Sequence, residues 1–458
     1  MSFPTSTGAI QPKITVVGSG LAGLTAAFRL QEMGYHVNLY EARQRPGGRV
    51  LTAKLGESYE ELGGKNFLDG STAENSLKLI YDLGLKILED ERPYSRVFVN
   101  GNQMIPFLDI LRKLRDPEAL EIKLAEIAAR SQNLQEVIDS VFEDPNLRLL
   151  STVIMASYEG SDPKNLDSSC FDALYWLFMH GIIAIRKADE GQNPTVKWLT
   201  LKGGNAQLPL ALSEKLSTPI HYDHALTALR KENQKIVLTF NHKKEISTDL
   251  VLLAIPCSTF EDIDFGLNAI PPEQLSRIQE VQYGTNGKIL FPIAIENPLY
   301  DVVLSSDVCS WMNHSNKVMT FYYGGTRSIF NAQNAKSKFD QGILTIKAVY
   351  PSLTIKANTL EEANDRQLAP YDNAVFKSWV ADPYSKGSYS NRAPGTATWL
   401  SEMENRNGEK VRKAFRPVKN KIFFAGEHTT ILDALGTLEG AIESGERMAR
   451  LMNKVLRK

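Results

Sequence analysis

Gly18, Gly20 and Gly23, followed by an acid at Glu41, are the residues of this chain best spaced to hold a phosphorylated ligand. Gly18 permits a tight turn, Gly20 lets backbone approach a pyrophosphate, and Gly23 allows a helix to pack closely on a strand. Glu41 falls where a carboxylate accepts ribose hydroxyls, and its charge disfavours a 2′-phosphate. Arg43 and Arg49 then bracket a second glycine pair, Gly47-Gly48. A second glycine turn with cations beside the first suits a ligand lying extended across strand ends, which fits flavin adenine dinucleotide (FAD) better than a nicotinamide cofactor. The positioning elements read from the same window. Residues 13–17 form a strand, residues 21–33 a helix that aims the amides of Leu21, Ala22 and Gly23 at the phosphates, and residues 36–40 a second strand ending at Glu41.

Further segments carry a resemblance. Glu41-Ala42-Arg43-Gln44-Arg45-Pro46-Gly47-Gly48-Arg49-Val50 resembles the second signature of the flavin-containing amine oxidases, the family of monoamine, polyamine and L-amino-acid oxidases. Glu61-Leu62-Gly63-Gly64 is similar to the element that approaches the flavin ring. Gly203-Gly204-Asn205, Ala225 and the run from Leu252 to Pro256 look like the middle FAD-binding segment. Trp379 and the run from Asp382 to Tyr389 resemble the substrate-side motif, and Phe424-Ala425-Gly426-Glu427-His428 with Leu438-Glu439-Gly440-Ala441 resembles the closing segment. The order of these matches is the family's, and they span nearly the whole chain.

The resemblance implies roles. Lys288 matches the lysine that holds a water at flavin N5, and Tyr389 matches one wall of an aromatic cage. The opposite wall, usually aromatic, falls on Thr437, so simple aromatic monoamines fit poorly and a bulkier substrate is admitted. Ser388 stands where monoamine oxidases attach flavin through cysteine, which implies noncovalent FAD. Lys65 and Asn66 follow Gly63-Gly64 and are expected to line the pocket; neither is the arginine with which amino-acid oxidases bind carboxylate. Glu427 is expected beside the ribityl chain or pyrophosphate. Free amides near Leu438, at the start of the last helix, would face the flavin N1/O2 edge, stabilising negative charge there by about 0.3–1 kcal/mol. The implied activity is oxidation of the carbon next to an amine nitrogen, giving an imine and hydrogen peroxide. Two alternatives stay open: a flavin desaturase or protoporphyrinogen-type oxidase acting on a large apolar substrate, and an FAD-bound scaffold with vestigial catalysis.

Composition sets the frame. A chain of 458 residues exceeds one hydrophobic core. A net charge of −1 argues against nucleic acid as the main partner. Three widely spaced cysteines fit neither a disulfide framework nor a metal site and point to a reducing compartment. The leader 1–12 lacks the pattern of a signal peptide, and no stretch reads as the roughly 20 apolar residues of a spanning helix. The expectation is a cytoplasmic enzyme acting on a small-molecule amine and oxygen, compatible with a homodimer. The fold class expected is α/β, with a Rossmann-like FAD-binding domain (1–90, 200–287 and 396–458) interleaved with a mixed-sheet substrate domain with a helical cap (91–199 and 288–395). Within the cap, Leu120, Ile122, Leu124 and Ile127 read as an apolar stripe, and residues 171–185 as a buried helix with Trp176, Phe178 and Met179 in the core.

Overall fold

The strand Ile14–Val17 pairs in parallel with Val37–Tyr40 on one side and Leu250–Leu253 on the other, and Ile422–Phe424 extends that sheet beyond Leu250–Leu253. Four short apolar runs, gathered from nearly the full length of the chain, thus make one parallel sheet in the computed structural model. It describes residues 12–458 except 70, 115–118, 268, 329–330, 332, 358–359, 364–369 and 372, so the leader at 1–11 lies outside the described residues. Alternate side chains divide between two cores, as the period of two in a strand requires. Ile14, Val16, Leu252 and Phe423 face the helices Leu21–Glu32 and Leu438–Leu456. Val17, Val251, Leu253 and Phe424 face a three-stranded antiparallel sheet, Leu226–Glu232, Lys235–Phe240 and Lys244–Thr248. The two helices touch through small residues. A Cβ on Gly445 would stand 2.5 Å from the Ala22 carbonyl oxygen, so only glycine allows this approach.

Among the described residues the second large sheet has nine strands, and it positions the other half of the site. Ala374–Ser378, Gly287–Ala294, Val318–Tyr323, Cys309–Met312, Val302–Ser305 and Arg96–Asn100 follow one another across it. The pairings are antiparallel except between Val302–Ser305 and Arg96–Asn100. Helices between residues 107 and 189 share one core built on Leu124, Leu134, Ile138, Leu150, Leu174 and Phe178 and form the expected cap. The ribbon of Ile87–Pro93 against Thr195–Leu201 leads into and out of that cap.

Three expectations are corrected. Ile122 is exposed, so the stripe in Leu120–Ala128 is Leu120, Leu124 and Ala128, the spacing one helical face allows. Trp176 is 40% exposed rather than core, because it sits on the face of its helix that turns toward a cavity. That helix, Ser168–Asp189, is also long and apolar enough to cross a membrane by length and composition. Its buried side, Leu174, Phe178, Gly181, Ile182 and Ala184, packs into the cap.

Candidate active site

One cavity of about 1110 Å³ runs from the glycine turns to the large sheet. That exceeds the roughly 300–1,000 Å³ typical of a single drug-sized ligand and accommodates a cofactor with a substrate beside it. Gly18, at φ +98°, donates from its N–H to the Tyr40 carbonyl at 2.7 Å, closing the turn that only glycine takes easily. Gly23 does not line the cavity. A Cβ there would stand 2.0 Å from the Gly18 carbonyl oxygen, so its role is the close approach of helix to turn. Gly20 precedes the helix Leu21–Glu32, and a Cβ on it would meet nothing within 4 Å. Open space over Gly20, with the first helical amides beside it, is the cradle a pyrophosphate requires. The second glycine turn abuts the first: Gly47 N–H donates to the Ser19 carbonyl at 2.7 Å, and a Cβ on Gly48 would lie 3.2 Å from Gly20 Cα. This pairing fits an extended dinucleotide.

Glu41, buried and lining the cavity, accepts from Ser19 N and Oγ, both at 2.8 Å, and from Arg43 N at 2.9 Å. Its carboxylate therefore holds the turn as well as facing the ligand space, where Ala42 and Ala225 also sit. Arg43 departs from the expected free cation. Its guanidinium donates to Asp382 Oδ1 at 2.5 Å and Ser385 Oγ at 2.9 Å, and so ties the ribose-acid loop to the substrate-side motif. Arg49 donates to the Ser388 carbonyl at 2.8 Å and to Glu427 Oε1 at 2.9 Å. Glu427 also accepts from Ser390 N at 3.1 Å, Ser390 Oγ at 2.5 Å and Gly436 N at 3.0 Å. Burial alone would push this carboxyl up, but Arg49 and His428 outweigh it and hold it below its ordinary value. Glu427 is thus a staple joining three segments, with its acceptor sites already filled by protein.

The floor of the cavity is set by Gly63 and Gly64. A Cβ on Gly63 would lie 2.0 Å from the Arg49 carbonyl oxygen, and one on Gly64 would lie 2.7 Å from Leu438 Cδ2. Thr437 caps the helix Leu438–Leu456, its Oγ accepting from Gly440 N at 3.0 Å, and Leu438 and Ala441 line the cavity at that helix's first turn. Gly426 lines it at the end of the strand Ile422–Phe424. Trp379 is buried, with Nε1 donating to the Leu62 carbonyl at 3.0 Å.

Lys288 is buried on Gly287–Ala294, an interior strand of the large sheet, and Nζ donates to the Glu61 and Gly63 carbonyls at 2.9 and 2.6 Å. Trp311 and Tyr322 approach it to 5.9 and 5.6 Å from their ring centres. Burial, then the charge of Lys65, pushes Lys288 well below a lysine's ordinary value, while burial pushes the neighbouring Glu61 carboxyl up. Lys65 Nζ is paired to Glu60 at 3.2 Å and lies 4.7 Å from the Trp198 ring centre. Asn66 is largely structural, accepting from Leu68 N and Leu199 N and donating to Asp69. Tyr389 donates to the Tyr158 carbonyl at 2.5 Å and lies 3.2 Å from the Tyr322 hydroxyl. A Cβ on Gly436 would stand 3.0 Å from Tyr389 Cδ2, so the tyrosine packs directly against the Gly436-Thr437 turn.

Apart from Gly23, the residues expected to touch cofactor or substrate line this one cavity, whereas Gly203, Gly204 and Asn205 do not. Asn205 instead donates to Glu61 Oε1 and to the Gly64 and Lys65 carbonyls behind it. Sequence reasoning missed Asp69, Glu159, Trp198, Trp311 and Tyr322, which line it too. Burial pushes the Asp69 carboxyl up to about 6 and that of Glu159 to about 7. Asp69 had a signal, standing five residues beyond Gly64 in the loop already singled out. Trp311 and Tyr322 had none, because pairing across the sheet brings them to Lys288. Cys309 also lines the cavity; Ser388 is buried, its hydroxyl donating to Asn286 Oδ1 at 2.6 Å.

The sequence model of the family described as "Flavin containing amine oxidoreductase" matches residues 21–453. Protein FLOWERING LOCUS D of Arabidopsis thaliana is 28% identical over 96% of this chain and 55% of its own length. The flavin-dependent L-tryptophan oxidase RebO of Lentzea aerocolonigenes is 23% identical over 94% of this chain and 96% of its own. The chain spans about half the length of the first of the curated relatives it matches, 55% and 53%. Cyclohexylamine oxidase from Brevibacterium oxydans superposes with a TM-score of 0.73 at 17% identity, covering 98% of this chain and 100% of that one. Putrescine oxidase bound to putrescine gives 0.71 at 16% identity, covering 98% and 100%. At these identities the superpositions establish the fold.

Proposed function

The chain belongs to the flavin-containing amine oxidoreductase family, and from that premise we propose that it is an FAD-dependent oxidase acting on the carbon next to an amine nitrogen. A hydride equivalent leaves that carbon and a proton leaves the nitrogen; the product imine hydrolyses, and oxygen takes up both equivalents as hydrogen peroxide. FAD supplies the two-electron relay between amine and oxygen. The chain's own residues supply position and dryness. Gly20, Leu21, Ala22 and Gly48 would hold the pyrophosphate, Glu41 the adenosine ribose, and the first turn of Leu438–Leu456 the negative edge of the flavin. Tyr389 and Tyr322, locked together at 3.2 Å, offer an aromatic wall against which an uncharged amine packs.

The observation that carries this reading is Lys288. It is buried in the cavity, fixed by the Glu61 and Gly63 carbonyls, and depressed toward neutrality, so it can take or release a proton near physiological pH. An open cavity at Lys288 supports catalysis over an FAD-bound scaffold. The volume of about 1110 Å³, with Trp176 and Ile183 exposed at its mouth, favours a second reading, oxidation of a large apolar substrate. The interleaved two-domain division stands as part of the proposal, as does a reducing compartment, supported by three buried free thiols. Anaerobic flavin bleaching across a panel of amines, amino acids and polyamines, with peroxide release in air, tests the assignment. Bleaching only by a polyene or a porphyrinogen would replace it with the second reading.

A further inference from the structure

The cavity continues past the lysine to a second polar feature. Register on the large sheet defines the path. Lys288 pairs with Tyr322, Tyr322 with Cys309, Trp311 with Val302, and Val302 with Arg96. All six side chains line the cavity, so they share one face of the sheet. From the strand of Lys288 to that of Arg96 is four strand steps at about 4.8 Å, roughly 19 Å in all.

At the far end the Arg96 guanidinium has no hydrogen bond or ion pair among the described residues, and its Nε is buried without a partner. The guanidinium is held in place by rings, 4.3 Å from the centre of Tyr94 and 5.8 Å from that of Phe107. Tyr94 is 7% exposed, yet its hydroxyl has no partner either. Both residues line the cavity, and Gly181 of the cap helix lets the backbone come close; a Cβ there would lie 3.5 Å from the Tyr94 hydroxyl. His180, whose ring feels the charge of Arg96, lines the cavity as well and adds no acid. Asp301 is the carboxylate that feels Arg96, but it does not line the cavity, and its Oδ1 is unpartnered. A half-buried guanidinium whose Nε is sealed from solvent, and a buried hydroxyl, both left without acceptors, are costly unless something supplies one.

We infer that this end of the cavity is an anion subsite, in which Arg96 and the Tyr94 hydroxyl receive a carboxylate carried at the far end of an elongated amine substrate. The inference rests on the amine-oxidase reading for which end is oxidised, and on the unpartnered donors for which end is anionic. The intervening walls, Trp311, Val302 and Leu304, are apolar and fit a chain between the two groups.

The test uses the flavin-loaded protein with a homologous series of ω-amino carboxylates and alkylamines of equal length. At the best length the carboxylate should lower KM by roughly ten- to a hundredfold, the effect of charge-assisted hydrogen bonds. That advantage should collapse toward one in Arg96→Gln. Tyr94→Phe should reduce it by several-fold without lowering Tm, because its hydroxyl has no protein partner to lose. An unchanged advantage in both variants, or no advantage at any length, overturns the inference. If no amine bleaches the flavin, the proposed function fails on its own. Simple alkyl carboxylates then read the subsite by isothermal titration calorimetry: weaker binding in Arg96→Gln supports it, and equal binding overturns it.

Discussion

Replacing Lys288 with Met keeps the aliphatic stem and deletes the ammonium. Two buried carbonyls, Glu61 O and Gly63 O, then lose their donor. An unpaired buried acceptor costs about 1–3 kcal/mol, so the pair predicts a loss of roughly 2–6 kcal/mol, offset by whatever the buried lysine itself costs. That offset depends on pH, and its sign can be derived. Burial depresses Lys288 in the folded chain below its ordinary value of 10.5. Between the folded and unfolded values the unfolded chain binds a proton that the folded chain does not, so stability rises with pH across that window, by at most about 1.4 kcal/mol per pH unit. Lys288→Met lacks this contribution. The gap in stability between wild type and variant should therefore widen as pH rises from about 8 to about 10, above the range where Glu61 titrates. Urea midpoints of both proteins at matched pH values measure it. A gap that stays constant, or narrows, would show that Lys288 is not held toward its neutral form. Below the folded value of Lys288, where the ammonium is charged, the same variant should retain FAD yet show slower reoxidation by oxygen in stopped flow. The difference should reach up to roughly a hundredfold for a unit charge lost about 5 Å from the reacting atoms, and it should shrink as pH rises.

Glu41→Ala removes the acceptor of three short hydrogen bonds and faces the ligand space, so FAD affinity should fall by roughly one to two orders of magnitude; fluorescence titration giving an unchanged Kd would remove Glu41 from the cofactor site. Acid or heat precipitation should leave yellow FAD in the supernatant, since a serine stands at position 388 and its hydroxyl is engaged with Asn286; flavin pelleting with the polypeptide would contradict this. Burial lowers His428 to about 4, so the unfolded chain takes up a proton first as pH drops below about 6.5, and stability is lost from there downward. His428→Gln should lose less stability than wild type between about pH 7 and pH 5 in the same urea assay, and an equal loss would assign the acid sensitivity elsewhere.

What was legible in the sequence was local. Gly18, Gly20, Gly23 and Glu41 lie within one strand-turn-helix-strand unit, where backbone geometry dictates residue type and spacing, so the pattern carries its own structural context. The last helix was legible for the same reason: Thr437 caps it at Gly440 in the run singled out from sequence. What could not be read is what register and long-range pairing decide. Arg43 reads as a cation for phosphate, but Asp382, far along the chain, claims its guanidinium. Trp176 reads as core because its helix is apolar nearly all round, and sequence does not say which face meets a cavity instead of the cap. Arg96 lies outside every motif; it becomes visible only once Val302 and Trp311 place its strand beside theirs on the cavity face. The cofactor half of this site is therefore written in turns, whose glycines any chain of this fold needs. The substrate half is written on a sheet face, where side chains vary without disturbing the backbone ladder. The family is thus readable from turn residues, whereas the substrate must be read from the cavity, beginning with the donors and acids there that have no protein partner.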